Sequence, residues 1–195
     1  ILERSFSKYG INVITGAGVT GLEINGEICS VALDRHGEQI EINAEKVLVA
    51  IGIQPNTSDL GLDDVGVATD RGFIQVDGYM ATNVPGISAI GDVTGKMPLA
   101  HVASAQAVAV AEHLSGLDIQ DIDYTYIPRA TYCQPQVASF GLTEKEAVDQ
   151  GFDVKIGKFN MLANGKSLAM GHTEGMVKLV VDARYGEILG GHMIG

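Results

Sequence analysis

Thr82-Asn83-Val84-Pro85-Gly86-Ile87-Ser88-Ala89-Ile90-Gly91-Asp92 is the stretch on which the reading of this chain depends. Val84-Pro85-Gly86 breaks the chain, and Ile87-Ser88-Ala89-Ile90 after it predicts a short buried strand ending in Gly91-Asp92. Open α/β sheets bind ligands at the carboxyl ends of their strands, where such a turn presents its side chains. No other His or carboxylate is spaced to help Asp92 hold a metal. Its expected task is to accept hydrogen bonds from the hydroxyls of a sugar-like chain, with Gly91 allowing the backbone a close approach. Val93 to Pro98 is a loop of small residues, and the Ala-rich run from Leu99 to Leu114 predicts a helix closing at Ser115-Gly116. The free N–H groups and positive dipole end of that helix suit a partly negative ligand atom. On the residues alone, Gly-Asp before a helix also fits a plain turn whose aspartate satisfies local N–H groups.

Upstream, Leu2, Phe6 and Tyr9 fall on one helical face, and Gly10 sits at a C-terminal cap position. Strand-like runs follow at Ile11 to Thr15, Ile28 to Leu33, Gln39 to Ile42 and Lys46 to Ile51, with hairpin signals at Asn25-Gly26 and His36-Gly37. Val47-Leu48-Val49-Ala50-Ile51 is apolar throughout, which predicts a strand buried on both faces, as in a parallel sheet. Gly52 and Pro55 end it. Gly16-Ala17-Gly18-Val19-Thr20-Gly21 fits G-x-G-x-x-G loosely, but a helix should follow such a fingerprint. Leu22-Glu23-Ile24 runs into a hairpin instead, so the string is expected to be a strand connection. Asp70-Arg71-Gly72 reads as a turn and Phe73 to Val76 as a short strand.

Downstream, from Ile127-Pro128 on, Val137 to Phe140 predicts a strand, and Thr143 with Glu146 forms a capping-box pattern opening a helix to Gln150. Val154 to Phe159, Met176 to Val181 and Ile188 to Ile194 predict three further strands, the last two joined by a turn over Asp182 to Gly186. Strands around one helix suggest an α+β unit with a largely antiparallel sheet.

The formal net charge of −11 argues against nucleic acid or an anionic membrane as partner, since both need clustered Lys and Arg. No run approaches the ~18 apolar residues that a membrane span needs. Cys29 and Cys133 have no second Cys or His at ligand spacing, so no metal site is expected, and two lone thiols suit a reducing cytosol. The chain starts at Ile1, in what reads as mid-helix, and stops at Gly195 in an apolar run. An internal piece of a longer protein is therefore the expectation.

The pattern Thr-x-x-Pro-x-x-x-Ala-x-Gly-Asp, carried by Thr82, Pro85, Ala89, Gly91 and Asp92, resembles the second FAD-binding motif of the pyridine nucleotide–disulfide oxidoreductases. The resemblance implies that Asp92 binds the ribityl chain of FAD. It also implies that Pro98, Leu99, Ala100 and His101 contact the isoalloxazine ring, mostly through backbone. Val47 to Thr57, with Gly52 and Pro55-Asn56-Thr57, is similar to the close of the family's NAD domain. There Gly52 would lie near the nicotinamide nucleotide and Val19 near its adenosine part. Ile53 and Gln54 replace the basic residues often found in that stretch, and Gln136 replaces a common glutamate. The implied organisation is α/β and α+β. Residues 1–55 are the C-terminal part of an NAD-binding domain, 56–126 a central FAD-contact segment, and 127–195 the first half of an α+β dimerisation domain. Leu99-Ala100-His101 resembles the dihydrolipoamide dehydrogenases within the family. Their implied reaction oxidises dihydrolipoamide through a disulfide and FAD to NAD. The implied partners are a second copy, through the third segment, and the lipoyl domains of a 2-oxo acid dehydrogenase complex, in the cytoplasm.

No catalytic residue is expected in the chain itself. The family's redox cysteines stand four residues apart, which Cys29 and Cys133 do not, and its catalytic His–Glu pair belongs past Gly195. No Gly-rich βαβ turn for a pyrophosphate is present. The other readings are a mercuric or glutathione reductase-like enzyme, or a non-enzymatic dimerising domain.

Overall fold

Two short turns shape the first part of the chain. A computed structural model describes all 195 residues, which divide into two compact units, residues 1–52 and 53–195. In the first, helix α1 (Leu2–Lys8) ends as expected at Tyr9-Gly10, where Gly10 has φ +75° and the Ile11 N–H donates back to Phe6 O. Strands β1 (Ala17–Asn25), β2 (Ile28–Arg35) and β3 (Glu38–Ala44) form an antiparallel sheet in chain order. His36-Gly37 joins β2 to β3 with φ of +55° and +89°, the pair of positive values that a two-residue type I′ hairpin needs. The 16–21 string lies mostly in β1, with a register shift between Val19 and Gly21, so no helix follows it. The ladder sets Val19, Leu22 and Ile24 opposite Leu33, Val31 and Cys29 on one face, and of these only Leu33 is buried.

Two expected strands are absent from this unit. Ile11 to Thr15 forms no ladder, and neither does Val47 to Ile51, where Leu48 is 90% and Ile51 93% exposed. Both runs have strand composition. A strand is completed by a paired neighbour, however, and the sheet here contains only β1 to β3.

The second unit opens with helix α2 (Leu62–Val65) and the hairpin of β4 (Thr69–Asp70) and β5 (Phe73–Ile74), turned by Arg71-Gly72. Val67, Ile74 and Ala89 form a small core, with Leu62, Val76, Val84, Ile87 and Val93 packed against it. Val84-Pro85-Gly86-Ile87 is a tight turn closed by Ile87 N–H to Val84 O, with Gly86 at φ +84° as a type II turn requires. Ile87 to Ile90 is a correction to the expected strand. It makes one bridge, Ala81 to Ser88, and Ser88 and Ile90 stay exposed because no continuous partner runs beside it. Helix α3 (Ala100–Leu114) follows.

The remainder is a five-stranded antiparallel sheet. Strands β6 (Arg129–Thr131) and β7 (Val137–Gly141) lead to helix α4 (Glu144–Asp149) and β8 (Val154–Asn160). Helix α5 (Gly165–Met170), β9 (Met176–Asp182) and β10 (Ile188–Ile194) complete it, in the order β6-β7-β10-β9-β8. Ala147 of α4 joins Leu142, Val180 and Leu189 in its core. The α4 capping box is complete: the Glu146 N–H donates to Thr143 Oγ1 at 3.2 Å, and the Thr143 N–H donates to Glu146 Oε2 at 2.8 Å. The mixed α/β and α+β character expected from the sequence is what the molecule has.

Candidate functional site

The motif residues first build a rigid turn. Thr82 Oγ1 donates to Ile87 O at 2.9 Å and accepts from the Val84 N–H at 3.1 Å. Asn83 spans the same loop in the other direction, accepting the Ala68 N–H and donating to Gly66 O, each at 2.8 Å. Ala89 is buried, and its N–H donates to Met80 O. The small core thereby fixes where Gly91 and Asp92 emerge.

Gly91 to Thr94 forms a single 3-10 turn. Gly91 has φ +76°, and a Cβ there would meet Ala103 Cβ of α3 at 3.4 Å, so the turn lies directly on the helix. Thr94 Oγ1 donates to Gly91 O at 2.8 Å, and the Gly95 N–H donates to Asp92 O at 3.1 Å. These bonds use the backbone of Asp92 and leave its carboxylate exposed, with no N–H of the turn donated to it. The plain-turn alternative required those local donors. Asp92 and Val93 instead line a cleft of about 220 Å³ with Ile53, Gln54, Pro55 and Asn56.

Pro98 and Leu99 lead into α3, and Ala100 and His101 form its first turn. Leu99 caps the helix without a side-chain hydrogen bond, and the first turn contains no acidic residue. The Val102 and Ala103 N–H groups both reach Leu99 O, which leaves the Ala100 and His101 N–H groups as the free donors of the positive helix end. His101 Nε2 lies 3.0 Å from Pro128 O, so its ring is engaged away from that end and its backbone is the part on offer.

The other two expected cofactor residues belong to the first unit. Val19 is an exposed residue of β1, paired with Leu33. Gly52 is exposed at φ +145°, a backbone state that favours glycine.

Sequence reasoning missed Gln106. It is completely buried on α3, on the face that carries Val102 and Ala109. Its Oε1 accepts the Gly91 N–H at 2.6 Å, and its Nε2 donates to Tyr124 Oη at 2.9 Å. A polar residue between Val102 and Ala109 at helical spacing was the available signal.

Comparison with known proteins gives the family. Residues 1–107 match the family described as Pyridine nucleotide-disulphide oxidoreductase, and residues 127–195 match its dimerisation domain. The chain is 53% identical to a dihydrolipoyl dehydrogenase of Mycobacterium leprae over its whole length and covers 42% of that protein. It is 47% identical to the dihydrolipoyl dehydrogenase of Chlorobaculum tepidum, again over its whole length and covering 42% of it. The chain thus spans about 42% of the curated relatives it matches. Among solved structures, LpdA of Mycobacterium tuberculosis superposes with a TM-score of 0.86 at 27% identity, covering 100% of this chain and 42% of that one. The HOCl-induced flavoprotein disulfide reductase RclA of Escherichia coli, as its Cu(II) complex, gives 0.87 at 25% identity, covering 98% and 43%. With more than half of its residues matched by the family profile and the second-motif turn built as described, the chain belongs to the pyridine nucleotide-disulphide oxidoreductase family.

Proposed function

We propose that the chain is part of an FAD-dependent dihydrolipoyl dehydrogenase, and that within it Asp92 and the start of α3 hold the ribityl and ring end of the flavin. The single observation that carries this is the Gly91–Asp92 turn, which lies on α3 and leaves one carboxylate free above a cleft. The donor set suits that end of FAD. A carboxylate can accept from ribityl hydroxyls, and the Ala100 and His101 N–H groups, unused by the backbone, would serve as donors to electron-rich ring atoms. Pro98 and Leu99 add contacts on the way into the helix.

Bound FAD supplies two-electron transfer between a dithiol substrate, through a disulfide, and NAD. The residues here bind and orient it. The positive end of α3 would favour negative charge on the ring, and Asp92 would hold the ribityl chain. Residues 1–55 are assigned to the NAD domain, where Gly52 would lie near the nicotinamide nucleotide and Val19 near its adenosine part. Residues 56–126 form the flavin-contact segment, and 127–195 dimerise with a second copy. A dihydrolipoyl dehydrogenase takes its electrons from lipoyl domains of a 2-oxo acid dehydrogenase complex, and a cytoplasmic setting suits two unpaired cysteines. No helix is long and apolar enough to cross a membrane. By itself the chain is expected to be inactive.

The test is Asp92→Ala in the full-length protein. Loss of one charge-assisted bond should weaken FAD binding by about 1.5–3 kcal/mol, read by titration of the apoprotein. Unchanged affinity would return Asp92 to the role of a turn residue. A second reading, another flavoprotein disulfide reductase, is favoured only by the fold likeness to the Escherichia coli protein. Turnover with dihydrolipoamide as sole reductant separates the two.

A further inference from the structure

Gln106 is a buried amide inside a helix face of Val102 and Ala109, where apolar packing alone would select an apolar residue. Its two ends are both used. Oε1 faces the Gly91 N–H at 2.6 Å and Nε2 faces Tyr124 Oη at 2.9 Å, while Tyr124 Oη lies 4.0 Å from Met80 Sδ. The chain of protons has one direction only. The Gly91 N–H can only donate, so the amide oxygen must face it. The amide nitrogen must then donate to Tyr124, whose own proton is left for the sulfur of Met80. Met80 is itself fully buried, so the far end of the chain is anchored in packed side chains. Gly91, at φ +76°, has no side chain of its own to anchor the turn, so the Ile90–Gly91 peptide that carries its N–H needs a partner from outside. Gln106 supplies that restraint from fifteen residues away.

We propose that Gln106 is a positioning residue for the flavin: by accepting the Gly91 N–H it pins the Ile90–Gly91 peptide against α3, and with Thr94 Oγ1 holding the Gly91 carbonyl on the other side, both peptides flanking Gly91 are fixed and Asp92 presents its carboxylate from a set direction. This rests on the flavin-contact reading above and deepens it. Gln106 does not touch the cofactor. Its effect passes through one backbone amide, and Tyr124 acts by fixing which way the side-chain amide faces.

Two substitutions in the full-length protein give opposite signs for a positioning role and for a packing role. Gln106→Met fills the volume with an apolar chain and removes the acceptor for Gly91. Gln106→Glu keeps an acceptor for Gly91 and a second for the Tyr124 hydroxyl, but places a carboxylate in a buried site. If Gln106 only fills space, Met should be the milder change. If it positions the turn, Met should weaken FAD binding about tenfold and speed amide hydrogen exchange at Gly91, while Glu restores both towards the parent values. Tyr124→Phe, which keeps the ring and removes the phenolic oxygen, is expected to act in the same direction as Met but less strongly. It serves as the readout if Gln106→Met does not fold. Should Met, or Phe in its place, leave Gly91 exchange and FAD affinity unchanged while Asp92→Ala still weakens FAD, the positioning role is overturned and the flavin site stands. If Asp92→Ala has no effect either, the flavin reading and the proposal fall together.

Discussion

Gly91 and Gly190 show how differently two glycines can be required. At Gly91 the backbone is left-handed, but an added Cβ would meet only Ala103 Cβ, at 3.4 Å. The cost of Gly91→Ala is therefore mainly conformational, about 1–2 kcal/mol. At Gly190 the added carbon would fall 2.1 Å from Leu142 O, a backbone atom, and across the same contact a Cβ on Gly141 would fall 2.2 Å from Leu189 O. The strands must separate to admit it. Gly190→Ala is accordingly expected to lose about 3 kcal/mol or more, at or beyond the upper end of ordinary overpacking. Urea unfolding of both variants checks the order, and equal losses would mean that the sheet yields more easily than its geometry indicates. Asp92 and Gln106 complete the residue scale, one exposed beyond the turn and the other buried beneath it on the Gly91 N–H.

Among the elements, α4 carries the clearest local code. Glu146 accepts hydrogen bonds from the Thr143 backbone N–H and hydroxyl, which hold its pKa below the ordinary value of 4.5 against a smaller opposing effect of burial. Glu144 is lowered as well, first by its 2.6 Å hydrogen bond from Lys178. A depressed carboxyl pKa contributes stability above the unfolded value and loses it as pH falls through the folded one. The capped helix should thus weaken as pH drops below about 4.5. Glu146→Gln, which keeps a capping-box side chain without the titration, should flatten that acid limb in urea midpoints taken across the range. An unchanged slope would place the acid sensitivity elsewhere. The Thr143–Glu146 box, the His36-Gly37 hairpin and the Ala-rich α3 could all be read from sequence because their signals are local. Strand composition at Ile11 to Thr15 and at Val47 to Ile51 did not carry over, since a ladder depends on a partner that composition does not name. Helix α5 escaped notice because six residues are too few for a period, although Asn164 caps it through the Ser167 N–H. Asp92 was legible as a candidate through its motif. Gln106 was not, because both of its partners lie 15 or more residues away in sequence.

At the scale of the whole molecule, the proposed site would hold only one end of a flavin. The one G-x-G-x-x-G string is committed to β1, so nothing in these 195 residues forms a strand–turn–helix cradle for a pyrophosphate. The purified chain should lack the visible flavin absorbance band, and near-stoichiometric FAD in such a preparation would contradict that. The bare stretch from Val47 to Ile51 has a further consequence for handling the protein. It is five consecutive apolar residues, three of them β-branched, without charge or proline, flanked by Lys46 on one side and Gly52 on the other. Leu48, Val49 and Ile51 are 90%, 70% and 93% exposed. Identical segments of that kind stack into intermolecular cross-β ladders. The chain is therefore expected to form thioflavin-positive aggregates with a lag that shortens at higher protein concentration. Val49→Lys should lengthen the lag without moving the unfolding midpoint, the separation expected of a gatekeeper charge that acts on association alone.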